Sequence, residues 1–293
     1  MRMYLDCVPC ILNQALNAAR LVSAEPAVHE RVLREILRWM SEMDMRQPAP
    51  VMVQRIHRLL RETIGAEDPY RNAKDYQNRT ALAFLPELSS RIEAAADPLT
   101  AALRVATAGN AIDMGANGGA AEFDIRETAI QALAEPLVGE ADGFRTAVSE
   151  ADRILYLTDN AGEVALDCLL IRQLLPTRVT AAVRGRPVIN DATMADARAV
   201  GLDRIVEVID NGSDAPGTLL EDCSPEFRRR FAEADLIIAK GQGNYETLSE
   251  EPGNIFYLFK VKCPMVAART GVPIGTNVLA HSKDGITAGN VAS

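Results

Sequence analysis

Apolar residues recur at helical spacing through about the first 110 residues, and beyond about residue 150 short β-branched runs alternate with helical stretches. Together these patterns predict an α/β protein: an all-α helical region at the amino terminus, followed by a Rossmann-like domain built on a parallel sheet. Strand and helix in alternation imply right-handed crossovers, so the sheet is expected to be covered on both faces. The chain has 293 residues, 48% of them hydrophobic, enough for one large domain or two smaller ones with a sizeable core. The expected division is a helical region over 1–110, a connecting segment over 111–150 that borders the cleft, and the α/β domain over 151–293.

Within the first region, Val28, Val32, Leu33, Ile36, Leu37 and Met40 share one face of a helix between Pro26 and Met43. Pro50 suits the first turn of the next helix, Val53, Ile56, Leu59, Leu60 and Ile64 continue its apolar face, and Gly65 can stop it. Asp68-Pro69 and Asp97-Pro98 read as two further helix starts, so this half is expected to be a helical layer, a bundle. The stretch from 110 to 150 carries "GNAIDMGANGGAAEFD", whose glycine and asparagine density reads as loop. In the last region, strands are expected at Arg153 to Leu157, Arg178 to Val183, Arg204 to Ile209, Asp235 to Ala239 and Phe256 to Val261, with helices following Gly162, Asp191, Ser224 and Asn244. No internal repeat or low-complexity stretch interrupts the pattern, and the two halves are expected to pack together.

Thirty-one basic against forty acidic residues give a formal net charge of −9, which repels a phosphate backbone and an anionic membrane surface. No apolar run approaches the roughly 20 residues needed to cross a bilayer. The start "MRMYLDCVPC" has no apolar signal region, and a cytoplasmic location is expected. Five cysteines are an odd, sparse set unlike a secreted disulfide framework, and three histidines leave little for a histidine base or a multi-histidine metal site. Oligomeric state is not legible, because the helix faces of the first half can pack internally or between subunits.

In an open parallel sheet, ligands bind beyond the carboxyl ends of the strands, where helix amino termini also point. The residues after each expected strand are therefore the informative ones. "TDNAGE" places Asp159, Asn160 and Glu163 after the first, "RGRPVIND" places Asn190 and Asp191 after the second, "KGQGNYE" follows the fourth, and the fifth ends near Lys262. Asp159, Asn160 and Asp191 offer hard oxygen donors that suit Mg²⁺, Mn²⁺ or a similar divalent ion. Lys240 and Lys262 add positive charge, and the Gly241 to Asn244 turn can aim backbone N–H groups at an anion. A metal beside a phosphate cradle points to phosphoryl transfer to water. Taken singly, each residue also has a plain structural reading: Asp159, Asn160 or Asp191 as helix caps, and Lys-Gly-Gln-Gly as an ordinary strand-to-helix turn. Their convergence on one sheet edge favours the site.

"TDNAGE", "VIND" and "KGQGNYE", in this order and spacing, together with "DCVPC", "GNAIDMG" and "KVKCP", resemble the DUF89 family, also called the damage-control phosphatase or ARMT1-like family. The resemblance runs from about Leu5 to about Gly275, and the amino-terminal Cys-x-x-Cys is similar to its prokaryotic stand-alone branch. It implies a helical amino-terminal region, a Rossmann-like domain and metal-dependent hydrolysis of small phosphorylated metabolites, such as sugar phosphates or damaged phospho-cofactors. It further implies Asp159, Asn160 and Asp191 as ligands of Mn²⁺, Co²⁺, Ni²⁺ or Mg²⁺, with Lys240 beside them in catalysis. By the same resemblance Glu163, Gly241, Asn244 and Lys262 contact substrate, and Asn110 and Asp113 border the cleft. The Arg-Thr-x-Lys signature of the eukaryotic branch is not reproduced: Phe259, Lys260, Val261 and Lys262 stand there, and only the last lysine transfers.

The rival enzyme reading is an S-adenosylmethionine-dependent carboxyl methyltransferase, against which the first strand-to-helix turn lacks a glycine-rich approach. A haloacid-dehalogenase type of phosphatase needs a second acid where Ala161 stands. A non-catalytic module that binds metal or a phosphometabolite is the third alternative. Cys7-Val8-Pro9-Cys10 admits a redox or zinc role only with partners such as Cys263 or Cys223, and reads first as a structural pair.

Overall fold

The computed structural model describes residues 1–109, 125–282 and 291–292. Helices α1 (Cys7–Val22), α2 (Pro26–Ser41) and α3 (Ala49–Ile64) form where the amphipathic spacing puts them. Val32, Ile36 and Met40 of α2 and Val53, Ile56 and Leu60 of α3 close on Ile11, Ala15 and Ala18 of α1, which gives these three helices a core of their own. Helices α4 (Arg71–Glu93) and α5 (Pro98–Gly109) do not join it. Their Phe84, Leu88, Ile92, Leu103 and Val105 pack instead with Ile154, Tyr156, Val164 and Leu166 in the core on one face of the sheet. The expected helical bundle is therefore two layers, because nine of the twelve residues of α5 are buried, enough to cover a sheet as well as a helix.

The loop-like reading of 110–150 is corrected for its second part. Residues 125–150 form α6 (Ile125–Ala132), β1 (Leu137–Gly139) and α7 (Ala141–Glu150). The glycines and asparagines that suggested a loop are concentrated before residue 120, and a three-residue strand is too short to show alternation.

The chain then alternates as expected: β2 (Ile154–Leu157), α8 (Glu163–Gln173), β3 (Val179–Val183), α9 (Met194–Val200), β4 (Glu207–Asp210), α10 (Pro225–Glu233), β5 (Leu236–Lys240), α11 (Gly241–Leu248), β6 (Ile255–Lys260), α12 (Pro264–Thr270), β7 (Asn277–His281) and β8 (Val291–Ala292). Two boundaries move. A short 3₁₀ turn at Leu202–Arg204 delays β4, and α11 starts at Gly241, ahead of Asn244. Strands β7 and β8 had no counterpart in the sequence reading; β7 runs antiparallel to β6, a pairing that local pattern does not encode.

The strands order as β4-β3-β2-β5-β6-β7-β1-β8, with β4 to β6 mutually parallel. Leu157 of β2 is in register with Ala182 of β3 on one side and Ala239 of β5 on the other. From β2 the chain steps outward to β3 and β4, then returns across β2 to lay down β5 and β6. This reversal opens a crevice beyond the carboxyl ends of β2, β3 and β5, where the following loops diverge.

The helical layer is fastened to those loops. Val188 and Ile189, in the loop after β3, are buried in the α1–α3 core, and Arg61 of α3 donates to the Pro187 carbonyl. Asp214, after β4, accepts from Gln54 at 2.7 Å, from Arg58 and from Arg61. His57 of α3 is buried, with its ring 5.7 Å from that of Tyr70. Among the described residues no helix is long and apolar enough to cross a membrane.

Burial, with Arg61 adding to it, pushes the His57 imidazole down from its usual 6.5 to about 3, so the ring stays neutral in the folded chain. A depressed histidine stabilises the fold in full above the unfolded value and loses that contribution as pH falls from about 6.5 toward about 3. At about 1.4 kcal/mol per pH unit, roughly 2 kcal/mol is lost between pH 6.5 and 5. Urea unfolding at pH 7.5 and 5 should show this drop in the wild type and a flatter profile in His57→Leu; equal slopes would remove His57 as the cause.

Candidate active site

Strand β2 is buried along its whole length and ends at Leu157, so the chain carries Thr158, Asp159 and Asn160 directly into the crevice. Thr158 N donates to Ala182 O, which continues the pairing with β3 by one residue. Next, Asn160 and Asp191 form an isolated antiparallel bridge, with Ala161 N on Asn190 O at 2.8 Å and Ala192 N on Asp159 O at 2.7 Å. The two acidic segments are thus tied backbone to backbone.

Neither segment spends its side chains on capping. The residue that starts α8 is Gly162, whose N–H donates to Asn78 Oδ1 of α4 at 2.8 Å. Helix α9 is capped by Thr193, in a reciprocal box with Asp196. Asp159, Asn160 and Asp191 are left for other work. Gly162 holds φ at 75°, and a β-carbon there would press on Gln77, so glycine is what lets α4 approach the turn.

Behind them lies a buried ionic group. Lys240, at the end of β5, is fully buried and donates all three of its protons: to Glu163 Oε1 at 2.6 Å, to Asp167 Oδ1 at 2.6 Å and to Ala106 O at 2.8 Å. Tyr156 adds a hydrogen bond to Asp167 Oδ1 at 2.8 Å. Burial alone would lower the lysine, but Asp167 and Glu163 outweigh it and hold the ammonium charged. Asn160 Nδ2 donates to Asp159 Oδ2 at 2.8 Å and to Glu163 Oε2 at 3.1 Å. Lys240 therefore fixes Glu163, Glu163 fixes the Asn160 amide, and the amide oxygen is the atom left to face a cation. Reaching a substrate would require Lys240 to give up one of its bonds.

Gly241 sits directly against the Asp159 carboxylate with φ at 81°; a β-carbon built on it would run into Asp159 Oδ2. Asn244 is occupied in the frame, donating to Lys240 O at 2.7 Å and Thr158 O at 3.3 Å and accepting from Thr218 Oγ1 at 2.8 Å. Lys262, partly exposed beyond β6, stands near enough for its charge to act on Asp159. Asn110 and Asp113 lie outside the described residues.

Four participants were not anticipated. Arg184 follows β3 immediately, is 2% exposed, and donates from Nε to Asp191 Oδ2 at 2.7 Å, with Nη2 3.7 Å from Asp159 Oδ1. Position after a strand, the signal that singled out Asp191, applied equally to Arg184. Asp167 lies four residues beyond Glu163, hence on the same face of α8, and helical spacing could have paired them. Gln77 and Asn78 carried no such signal, since they come from the middle of α4.

Burial pushes the Asp159 carboxyl well above the usual range; Glu163 and Asp191 push it further, and Lys262 and Arg184 oppose them. The donor set fits a hard divalent cation: two buried carboxylates and an amide oxygen, short of positive charge. Among the described residues no three His, Cys, Asp or Glu side chains stand together as a metal cluster, so beyond Asp159 and Asp191 the remaining donors would be Asn160, water or substrate. An open groove of about 590 Å³ lies at the opposite, amino-terminal edge of the sheet; its four arginines are matched by four acids, and it contains none of these residues.

Residues 3–278 match the model of the damage-control phosphatase ARMT1-like domain. The chain belongs to the ARMT1-like damage-control phosphatase family. It is 35% identical to a damage-control phosphatase of Archaeoglobus fulgidus, over 93% of this chain and 96% of that one. An uncharacterized protein of Methanocaldococcus jannaschii is 33% identical over 94% and 93% of the two chains. A crystal structure of a DUF89 family protein from Pyrococcus horikoshii superposes with a TM-score of 0.86 at 30% identity, covering 97% of this chain and all of that one.

In this ARMT1-like chain, Cys7 opens α1 and Cys10 is exposed one turn on. Burial raises both thiols, and Cys263 and Glu246 raise them further, so the helix start does not make them acidic. Cys263, not Cys223, is their neighbour.

Lys240→Met leaves Glu163 and Asp167 buried without their cation, and should cost about 3–5 kcal/mol of stability in urea unfolding; an unchanged midpoint would place the lysine outside the buried group. Gly241→Ala should displace the Asp159 carboxylate, costing about 1–3 kcal/mol in urea unfolding. An unchanged midpoint in that variant would contradict the close approach.

Proposed function

We propose that this chain is a metal-dependent phosphomonoester hydrolase that acts on small phosphorylated metabolites, sugar phosphates or damaged phospho-cofactors, in metabolite damage control. The observation that carries the reading is the backbone bridge between Asn160 and Asp191, which sets two buried carboxylates and an amide side by side at the strand-order reversal. Relatives named as damage-control phosphatases, alike over nearly their whole length, support it.

Asp159, Asn160 and Asp191 would hold the cation, drawn from Mn²⁺, Co²⁺, Ni²⁺ or Mg²⁺. When bound, such an ion polarises a phosphoryl oxygen and makes a coordinated water more acidic. The rest is done by the chain. Glu163, clamped by Lys240, keeps the Asn160 amide turned, so the donors are positioned before substrate arrives. The first turn of α11 begins against Asp159, and its N–H groups and dipole favour an anion there. Lys262 contributes charge from the margin, where its partial exposure lets it meet an incoming phosphate. Burial of the carboxylates keeps water from screening these charges.

Release of inorganic phosphate from a panel of sugar and cofactor phosphates, with and without each metal, tests the reading. Wild-type protein should turn over with metal and lose activity with a chelator. Asp159→Ala and Asp191→Ala should each reduce turnover by at least roughly a hundredfold, because even outer partners of a metal site are worth roughly 10–100-fold. Metal-independent or absent turnover in the wild type, or unchanged turnover in both variants, would sink it.

A further inference from the structure

We infer that Arg184 is the phosphate-gripping residue of this site, and that its Nη2 donates to a phosphoryl oxygen of the substrate. The inference rests on the phosphatase reading and adds a residue to it. Arg184 is 2% exposed, so its charge must be answered from within the protein. Its Nε is answered by Asp191 Oδ2 at 2.7 Å. Its Nη2 is buried and has no hydrogen-bond partner among the described residues; Asp159 Oδ1, at 3.7 Å, is beyond bonding distance. A buried guanidinium nitrogen left unmatched is costly, and a rigid, planar fork is well suited to an oxyanion.

The backbone that carries the fork is clamped. Arg184 N donates to Ala192 O at 2.9 Å, and the next residue, Gly185, donates to Ser213 O at 2.8 Å and to Asn211 Oδ1 at 3.0 Å. A β-carbon on Gly185 would run into the Gly212 backbone, so the two loops are in close contact there. Arg184 therefore enters the site from a clamped strand end, between the two carboxylates that attract a cation. An oxyanion bound beside that cation meets Nη2 with its hydrogen-bonding capacity unspent. Lys240, by contrast, has all three donors committed.

The competing role is that of a counter-ion for Asp191 and Asp159. It predicts a different response. Removing a mere counter-ion leaves phosphate affinity unchanged, or lowers Mn²⁺ and phosphate binding together by disordering Asp191. Removing an anion contact weakens phosphate while Mn²⁺ binding is kept.

Full-length wild type, Arg184→Lys and Arg184→Met are titrated with Mn²⁺, followed by the free-ion electron paramagnetic resonance signal, and then with inorganic phosphate by calorimetry. Phosphate affinity of the Mn²⁺-loaded protein should fall by roughly tenfold in Arg184→Lys and roughly a hundredfold in Arg184→Met, the range expected for charge-assisted hydrogen bonds. Mn²⁺ affinity should stay within about threefold of wild type in Arg184→Lys, which keeps a cation beside Asp191 and so limits the coupling between the two positions. If Arg184→Met does not fold, Arg184→Lys decides, because it retains a cation beside Asp191. Phosphate affinity unchanged in Arg184→Lys, or Mn²⁺ and phosphate affinities falling together, overturns the inference. A wild type that binds phosphate through Arg184 but hydrolyses no ester with any metal removes the phosphatase reading alone. Turnover with wild-type phosphate affinity in Arg184→Lys removes the arginine's role alone.

Discussion

Four carboxylates, Asp159, Glu163, Asp167 and Asp191, are buried beyond the carboxyl ends of two neighbouring strands, and the surrounding structure is arranged around the cost of keeping them there. Lys240 answers Glu163 and Asp167 from β5, and Arg184 answers Asp191 from the end of β3. The balance leaves the Asp159 end short of positive charge, which burial and its acidic neighbours express as a raised carboxyl. Strand order makes the arrangement possible: β2 lies between β3 and β5, so residues from three successive strand ends meet at one point.

The helical layer supports this group from behind. Ile189 holds φ at 45°, which is strained for a β-branched residue, next to Asn190 and Asp191. It persists because its side chain is buried in the α1–α3 core with Val188, so the loop conformation is set by helices far away in sequence. From α4, Asn78 accepts the Gly162 N–H and also donates to Asp196 at 3.0 Å, linking the turn after β2 to the helix after β3. Lys74 pairs with Asp196 at 2.8 Å in the same buried layer. The amino-terminal helices are thus part of the site's frame, although Asp159, Asn160 and Asp191 themselves all come from the loops after β2 and β3.

Much of the fold was legible because its signals are local. Val32, Ile36 and Met40 in α2, and Val53, Ile56 and Leu60 in α3, announce a buried face by spacing alone, and the strands β2, β3 and β5 by short apolar runs. Of the strands that escaped, β1 and β7 pair with each other across more than half of the sheet-forming chain, and no local pattern encodes that partnership. Among the site residues, Asp159, Asn160 and Asp191 stood out because each follows a strand. Arg184 obeyed the same rule and was passed over as loop, since an arginine between glycine and valine reads as a solvated surface group until its burial is known.

The sequence by itself determined the alternation of strand and helix, the glycines at 162 and 241, and the polar residues at the strand ends, since each depends on spacing or on local backbone conformation. Tertiary structure decided their duties. Whether Asp159 caps the helix after β2, whether Lys240 faces solvent or two carboxylates, and whether Arg184 is surface or core are settled by contacts across tens to more than a hundred residues. The physical reason is that a charged side chain takes its meaning from burial and from its partner, and neither is written at its own position in the chain.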